Sequence, residues 1–543
     1  MLSMLFFVAL VFFVVMYRVY GGFMSRVFKL DPSRKTPAET MYDGVDYSPA
    51  HPAVLMGHHF SSIAGAGPIV GPITAASMFG WLPAYLWCLF GSAFMGGPHD
   101  TGALVTSIRH GGRSVGSVVK NYIGEKGSFL FLTFTILTLI LIVAVFLQIS
   151  ADSMSKDPAV AFAAVVYMFA AVIFGVLIYR LNVPLIVSTL VMLPLVFGSC
   201  WYAQDHAAIT SMFSASLETW RWILTGYILV ASLLPVWLLL QPRDYLASYF
   251  LYFAVIIGAV GMIFGSGSFE VVLPAFKSLS AGALGNQYIW PMLFVVVACG
   301  AISGFHALVG SGTSSKQLRT EKDAIVVGYG SMLLEGMVAV IAIGTIMISN
   351  APAGANPMIV YSQGFGKFAS LVGIDPKLGA SLGLLAINSF LLTSLDTATR
   401  LGRYQVQEFF GGRVNKYLAT FAVAGCALLL LFIKTGATPM WQVIWPVFGA
   451  ANQLVAALSL LTLGTWVAKD LKGNTNWLMY PMWFMLFTTI AALILLIRDQ
   501  FMAQVTNYPL VIIAAVLMVL AVLMVREALS ALRPTPGKAA ARA

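Results

Sequence analysis

The chain has 543 residues, of which 59% are hydrophobic and only 10% charged, and its mean hydropathy is +0.87. Ordinary soluble proteins carry about 25% charged residues, so this composition excludes a soluble enzyme, a nucleic-acid module and a disordered scaffold. The net charge of +10 does not bring back a nucleic-acid partner, because Lys and Arg sit in short loops between apolar runs, as membrane topology requires. Cys88, Cys200, Cys299 and Cys426 lie in or beside apolar runs without a CxxC pair, which reads as packing and not as a disulfide framework or zinc site.

A bilayer span needs roughly 20 mostly apolar residues. Fifteen such runs are predicted, near 2–20, 57–80, 81–108, 127–149, 158–179, 183–202, 220–240, 245–265, 289–312, 324–349, 379–399, 417–433, 440–467, 477–497 and 508–526. None alternates as a membrane barrel strand does, so an all-α polytopic membrane protein is expected. No basic residue precedes the first run, and Arg18, Arg26, Lys29, Arg34 and Lys35 follow it. That order is the reverse of a cleaved signal peptide and predicts a retained helix with its N-terminus outside. Threading onward puts 24 Lys and Arg on the cytoplasmic side and 7 outside, with the C-terminus cytoplasmic. The tail from Pro534 to Ala543 is short and basic and reads as disordered.

The second span reads His58-His59-Phe60-Ser61-Ser62-Ile63-Ala64-Gly65-Ala66-Gly67-Pro68, with Gly71-Pro72 following. Proline removes a donor and clashes with the preceding turn, so the helix is expected to break at Gly65–Pro68. Backbone freed at that depth survives only where it is buried in protein or lines a wet cavity. A discontinuous helix offers half-helix ends to a substrate or ion, and the polar flank favours a site over a mere kink. The third span carries Gly96-Gly97-Pro98-His99-Asp100-Thr101-Gly102, again irregular or close-packed. In the seventh span Pro235 and Gln241-Pro242-Arg243-Asp244-Tyr245 suggest a second break in the opposite orientation. Spans 2–6 and 7–11 are therefore expected to be the halves of an inverted five-plus-five repeat. The chain then divides into an N-terminal helix and loop (1–56), a first repeat (57–202), a second repeat (203–400), four additional helices (401–533) and the tail (534–543).

Span nine ends in a run of hydroxyls that includes Ser311, Thr313 and Ser314. These could ligate Na⁺ or line a hydrated path, or could simply bond the preceding turn. Glu335 lies mid-span on a face with Ser331, Ala339 and Ala342. An intramembrane carboxylate is by default a functional candidate, here a proton or cation carrier, the bland alternative being a structural bond to a neighbouring helix. Asp396 is expected to pair with Arg400 and Arg403, and Asn452 with Gln453 to make structural polar contacts outside the core. His58, His59, His99 and His306 could bind a metal, but adjacency turns His58 and His59 apart on a helix. HExxH, Walker A and CxxCH motifs are missing from the sequence.

Six segments carry a resemblance: His58–Pro72, Gly97–Gly116, Pro235–Tyr245, Ser303–Leu318, Ser389–Arg403 and Pro446–Gln453. In order and over most of residues 50–460, they resemble the carbon starvation protein A family of peptide and pyruvate transporters. The resemblance implies a secondary transporter of the inner membrane, in the amino acid–polyamine–organocation superfamily, with a leucine-transporter-like core and extra peripheral helices. It implies uptake of peptides or pyruvate when carbon is short. The expectation is alternating access around a midplane site built from His58, His59, Ser61, Ser62, Gly65, Gly67, Pro68 and Gln241, with a substrate carboxylate on half-helix N-termini. Ser311, Thr313 and Ser314 would form an Na⁺ site or its proton-coupled relic, and Glu335, Asp100 or a histidine would then carry the proton. The coupling ion is H⁺ or Na⁺, the surroundings are lipid, and no cofactor is firmly implied. The rival readings are a membrane redox protein holding metal or haem on its histidines, and a passive channel.

Overall fold

The computed structural model describes residues 1–43, 47–235, 238–281, 287–352, 354–432, 440–502 and 506–532. The tail at 534–543, and Val236 and Trp237 of the seventh-span break, lie outside the described residues. Among the described residues, ten helices are long and apolar enough to cross a membrane, or eleven if one bent pair is a single span. The chain is thus a multi-pass helical membrane protein.

In chain order the helices are α1 (Leu2–Val27), α2 (Pro52–Ile63), α3 (Gly67–Phe79), α4 (Trp81–Gly91), α5 (Gly97–Arg109), α6 (Val115–Tyr122), α7 (Glu125–Lys156), α8 (Pro158–Tyr179), α9 (Leu185–Asp205) and α10 (Leu217–Ala231). They continue with α11 (Leu240–Phe264), α12 (Ile289–Val296), α13 (Gly304–Gly312), α14 (Ser331–Met347), α15 (Pro357–Ser370), α16 (Pro376–Phe409), α17 (Lys416–Leu431), α18 (Met440–Trp466), α19 (Asn476–Met502) and α20 (Tyr508–Leu532). Wide π turns join α4 to α5 at Ser92–Gly96 and lead into α14 at Ile325–Gly330.

Local chemistry sets many of the starts. Asp157 accepts from the Ala159 and Val160 amides ahead of α8, and Asp375 does the same for Lys377 and Leu378 ahead of α16. In both, proline fills the first helical position, where a missing donor costs nothing. Burial then sorts the helices into layers. The most apolar windows of α14, α16 and α18 are 83%, 89% and 100% buried, while those of α1, α9 and α20 are 33%, 33% and 28% buried. The first group is the protein-lined interior, and the second turns apolar side chains outward as a lipid-facing shell does.

The break expected at Gly65–Pro68 is present: α2 and α3 meet at a 45° bend across Ala64–Ala66. A second break was not expected where it lies. Span nine, read as continuous, splits into α12 and α13 across residues 297–303, with Ser303 extended at φ −135°, ψ 124°. No proline marks this place; its sequence, Val297-Ala298-Cys299-Gly300-Ala301-Ile302-Ser303, is small and neutral. The two breaks pack against each other. A Cβ on Gly67 would overlap Cys299, and one on Gly300 would sit 3.5 Å from Pro72. In the seventh span, by contrast, α10 ends at Ala231 and α11 begins at Leu240, so Gln241-Pro242-Arg243 is the first turn of a new helix.

The pairings repeat. The long helices α7 and α16 lie along each other; α3 packs on α14 as α13 packs on α5, and α2 on α11 as α12 on α18. Gly304 lets α13 approach α18 closely, since a Cβ there would run into Val455 and the Asn452 backbone. Gly304→Val should therefore lower stability by about 1–3 kcal/mol through overpacking, while Gly226→Ala, which faces open space, should not; thermal unfolding of the detergent-purified variants measures both.

Candidate functional site

Two buried polar clusters flank the first break. The first joins α2, α10, α11 and α16. His58 Nδ1 lies 2.8 Å from Asp244 Oδ2, and the Ser62 hydroxyl is 3.4 Å from the same oxygen. Arg243 contacts Asp244 at 3.3 Å and forms a buried ion pair with Asp396. Tyr227 takes a hydrogen bond from Arg243 at 2.8 Å and gives one to Asp396, also at 2.8 Å. Tyr167 donates to the Arg243 carbonyl at 2.7 Å. Asp396 thus pairs with Arg243 and not with its helix neighbours Arg400 and Arg403. Those two arginines donate to the carbonyls of Ala231, Ser232 and Leu234, at and just beyond the end of α10. The expected pairing failed because a long, flexible Arg next along a helix reached orphan carbonyls instead of the carboxylate.

The second cluster joins α5, α13 and α14. Asp100 accepts from His99 Nδ1 at 2.7 Å on one oxygen and faces His306 Nδ1 at 2.8 Å on the other. His306 Nε2 is 3.2 Å from Glu335 Oε2. His99, Asp100, His306 and Glu335 are all fully buried, at no more than 1% exposure. His59 joins from α2, with Nδ1 2.8 Å from the Ser314 hydroxyl. Neighbouring His58 and His59 therefore serve opposite clusters, as their adjacency on one helix demands.

Side chains from the surrounding helices satisfy the broken backbone. Ser394 of α16 donates to the Ser62 carbonyl at 3.1 Å, the acceptor that an unbroken helix would have offered to its fourth following amide. At the second break, Asn452 Oδ1 accepts from the Phe305 amide at 2.9 Å and Asn452 Nδ2 donates to Ser303 at 2.9 Å, capping α13. Gln453 donates to the Phe294 carbonyl, and Trp87 to that of Val297 at 3.2 Å. Asn452 and Gln453, read as peripheral, thus bracket both ends of the break. The signal that could have found them is their pairing on one buried helix, where two adjacent amides need many partners.

Of the residues expected to hold substrate, His58, His59, Ser61, Ser62, Gly65, Gly67 and Pro68 cluster at the first break, with Phe146 and Ser394 closing over Gly65. Gln241 does not join them; its carbonyl oxygen accepts from Tyr179 at 2.9 Å toward α8. Among the ion-coupling candidates, Asp100 and Glu335 meet through His306, and Ser314 reaches His59. Ser311 and Thr313 spend their hydroxyls on the carbonyls of Ala307 and Val309, one turn back, at 2.7 and 2.8 Å. Among the described residues, no three His, Cys, Asp or Glu side chains are arranged to hold a metal.

A third set of contacts ties the loop after α1 beneath this core. Glu321 takes hydrogen bonds from Arg109 at 3.1 and 3.0 Å, from Arg34 at 3.0 Å and from the Asp31 amide at 2.9 Å. Thr36 donates to the Leu318 carbonyl at 2.6 Å. Burial pushes the Glu321 carboxyl up, but these donors outweigh it and hold its pKa below the usual carboxylate value.

The fold and these clusters define a class first: a polytopic membrane protein whose interior holds paired charges around two interrupted helices. The chain belongs to the family described as carbon starvation protein CstA, whose model matches residues 2–353 and 345–492. It is 30% identical over 555 residues to the peptide transporter CstA of Campylobacter jejuni, covering 89% of this chain and 78% of that protein. It is 31% identical over 575 residues to the pyruvate/proton symporter BtsT of Escherichia coli, covering 88% and 79%. Among solved structures it is similar to MhsT in complex with L-phenylalanine, with a TM-score of 0.49 and 13% identity over 82% of this chain and 99% of that one. The named relatives are transporters, not enzymes.

Two outcomes follow. Arg243 serves both Asp244 and Asp396, so Arg243→Met strands two buried carboxylates and should cost about 3–5 kcal/mol, while Asp396→Asn, which leaves Asp244 on the arginine, should cost markedly less; denaturant unfolding compares them. Because the Glu321 carboxyl is depressed in the folded chain, its contribution should be complete above the ordinary carboxylate pKa of about 4.3 and should fade as pH drops through the folded value. Protease nicking of the loop after α1 should rise over that acid range in the native chain, and already at neutral pH in Glu321→Gln.

Proposed function

We propose that this chain is a secondary transporter that imports peptides or pyruvate across the inner membrane when carbon is short, by alternating access and with protons as the coupling ion. The observation that carries this is the buried His99–Asp100–His306–Glu335 cluster beside two crossed helix breaks. Ionisable groups at such depth are kept for transport or proton transfer, and interrupted helices at a repeat interface supply substrate sites. Protons are favoured over Na⁺ because the buried polar groups beside the breaks are imidazoles and carboxylates that can take up a proton. The name of one relative, a pyruvate/proton symporter, agrees with that choice.

The substrate would lie where the breaks cross, its carboxylate on the half-helix N-termini of α3 and α13, with His58, His59, Ser61, Ser62, Gly65, Gly67 and Pro68 around it. The fifteen-span, inverted five-plus-five architecture is part of this reading, with its boundary moved. The first repeat would run over 52–264, with α8 and α9 as an inserted hairpin, and the second over 289–466, starting at the second break. The doubled pairings of α3 on α14 with α13 on α5, of α2 on α11 with α12 on α18, and of α7 on α10 with α16 on α17 support this frame. The N-terminus lies outside and the C-terminus in the cytoplasm, as the 24-to-7 division of Lys and Arg suggests.

Uptake of labelled pyruvate and dipeptides into proteoliposomes, under separate proton and Na⁺ gradients, tests this. The expected result is accumulation of one or both substrates driven by an inward proton gradient and indifferent to Na⁺. Uptake that ignores both gradients would end the coupled-transport reading.

A further inference from the structure

We propose that His306 and Glu335 share a single transported proton, while Asp100 and His99 fix the His306 ring without carrying it; this rests on the proton-coupled reading above. A carboxylate can only accept hydrogen bonds. Asp100 has one oxygen on His99 and the other 2.8 Å from His306 Nδ1, so the His306 ring carries its hydrogen on Nδ1. A neutral imidazole then presents Nε2 as a bare acceptor, and that atom faces Glu335 Oε2 at 3.2 Å. The contact is attractive only with one further proton, either on the Glu335 carboxyl or on Nε2. Without it, a nitrogen lone pair meets a carboxylate, and a neutral ring separates two buried carboxylates. A low-dielectric interior penalises that arrangement heavily.

The two carboxylates are held differently. Both Asp100 oxygens have partners, whereas neither Glu335 oxygen makes an aligned hydrogen bond. Glu335 is therefore the member whose state can change. The other titratable groups around the pair are His59 on α2, His99 and Asp100 on α5, Cys88 on α4 and Cys299 in the second break. The buried Nε2 atom of His59 has no hydrogen-bond partner and offers a position for a proton leaving the pair.

The pair is also placed to couple. His306 sits in the first turn of α13, next to Phe305, whose amide is held by Asn452 at the second break. Glu335 sits on a different helix, α14. Losing the shared proton turns attraction between α13 and α14 into repulsion, at the same turn that would meet a substrate carboxylate. Substrate and proton would thus act on one short half-helix.

The test uses the full chain in proteoliposomes. One proton per substrate converts each unit of pH gradient into about tenfold accumulation. Glu335→Gln should abolish that accumulation yet keep substrate counterflow at equal pH, which also reports a folded protein. His306→Gln should do the same. Asp100→Asn should keep driven uptake but shift its pH profile. If the wild type accumulates substrate without regard to pH, the proton-coupled reading fails; if the wild type is proton-driven and Glu335→Gln is driven equally, only the shared-proton site fails. Should Glu335→Gln not fold, infrared difference spectra on adding pyruvate or dipeptide replace it. A protonated-carboxyl band that moves in Glu335→Asp supports the site, and one left in place overturns it.

Discussion

Backbone polar groups that leave a helix inside an apolar bundle must find partners, because water is absent and each unmet group costs several kcal/mol. In this protein two such places are stacked on each other. The partners come from helices far along the chain: Ser394 from α16, Asn452 and Gln453 from α18, and Trp87 from α4. The breaks can exist only once those helices stand around them. That is why α16 and α18 are the most enclosed elements, while α1, α9 and α20 form the outer shell.

The same enclosure governs the charges. Arg243 is shared between Asp244 and Asp396, so neither carboxylate is stranded in the interior. Asp100 is met by two imidazoles. Among the described buried carboxylates, Glu335 alone has neither oxygen in an aligned hydrogen bond, and the most weakly satisfied group in a buried network is the one whose state is easiest to change. His58 and His59 place α2 between the two networks, so a displacement of this short half-helix would be felt by both.

Much of this was legible in the sequence, for reasons that differ by residue. The helices were readable because apolar runs of bilayer length have few other fates. Pro68 with Gly65 and Gly67 announced the first break, since proline chemistry is local. The second break was hidden because nothing local forces it: Cys299, Gly300 and Ser303 suit a helix equally well, and what opens the backbone is Asn452 and Gln453 from about 150 residues away. Pro235 and Pro242 misled in the other direction, marking a connection between helices and not a mid-span interruption. Glu335 was found because a lone carboxylate in an apolar run stands out. His306 was less visible because its meaning lies in two carboxylates on other helices.

The Glu321 contacts have a consequence for the order of assembly. Arg34 and Asp31 are separated from Glu321 by 287 and 290 positions, and Thr36 from Leu318 by 282. The segment after α1 leaves the ribosome before its docking partners, which follow 282 to 290 residues later. Chains emerge at roughly 5–20 residues per second, so this loop waits tens of seconds before it can close. Its polar composition suits that wait, because it needs no apolar cover while the rest of the bundle is inserted. The loop that underpins the finished core is therefore a late closure made from a segment synthesised well before its partners.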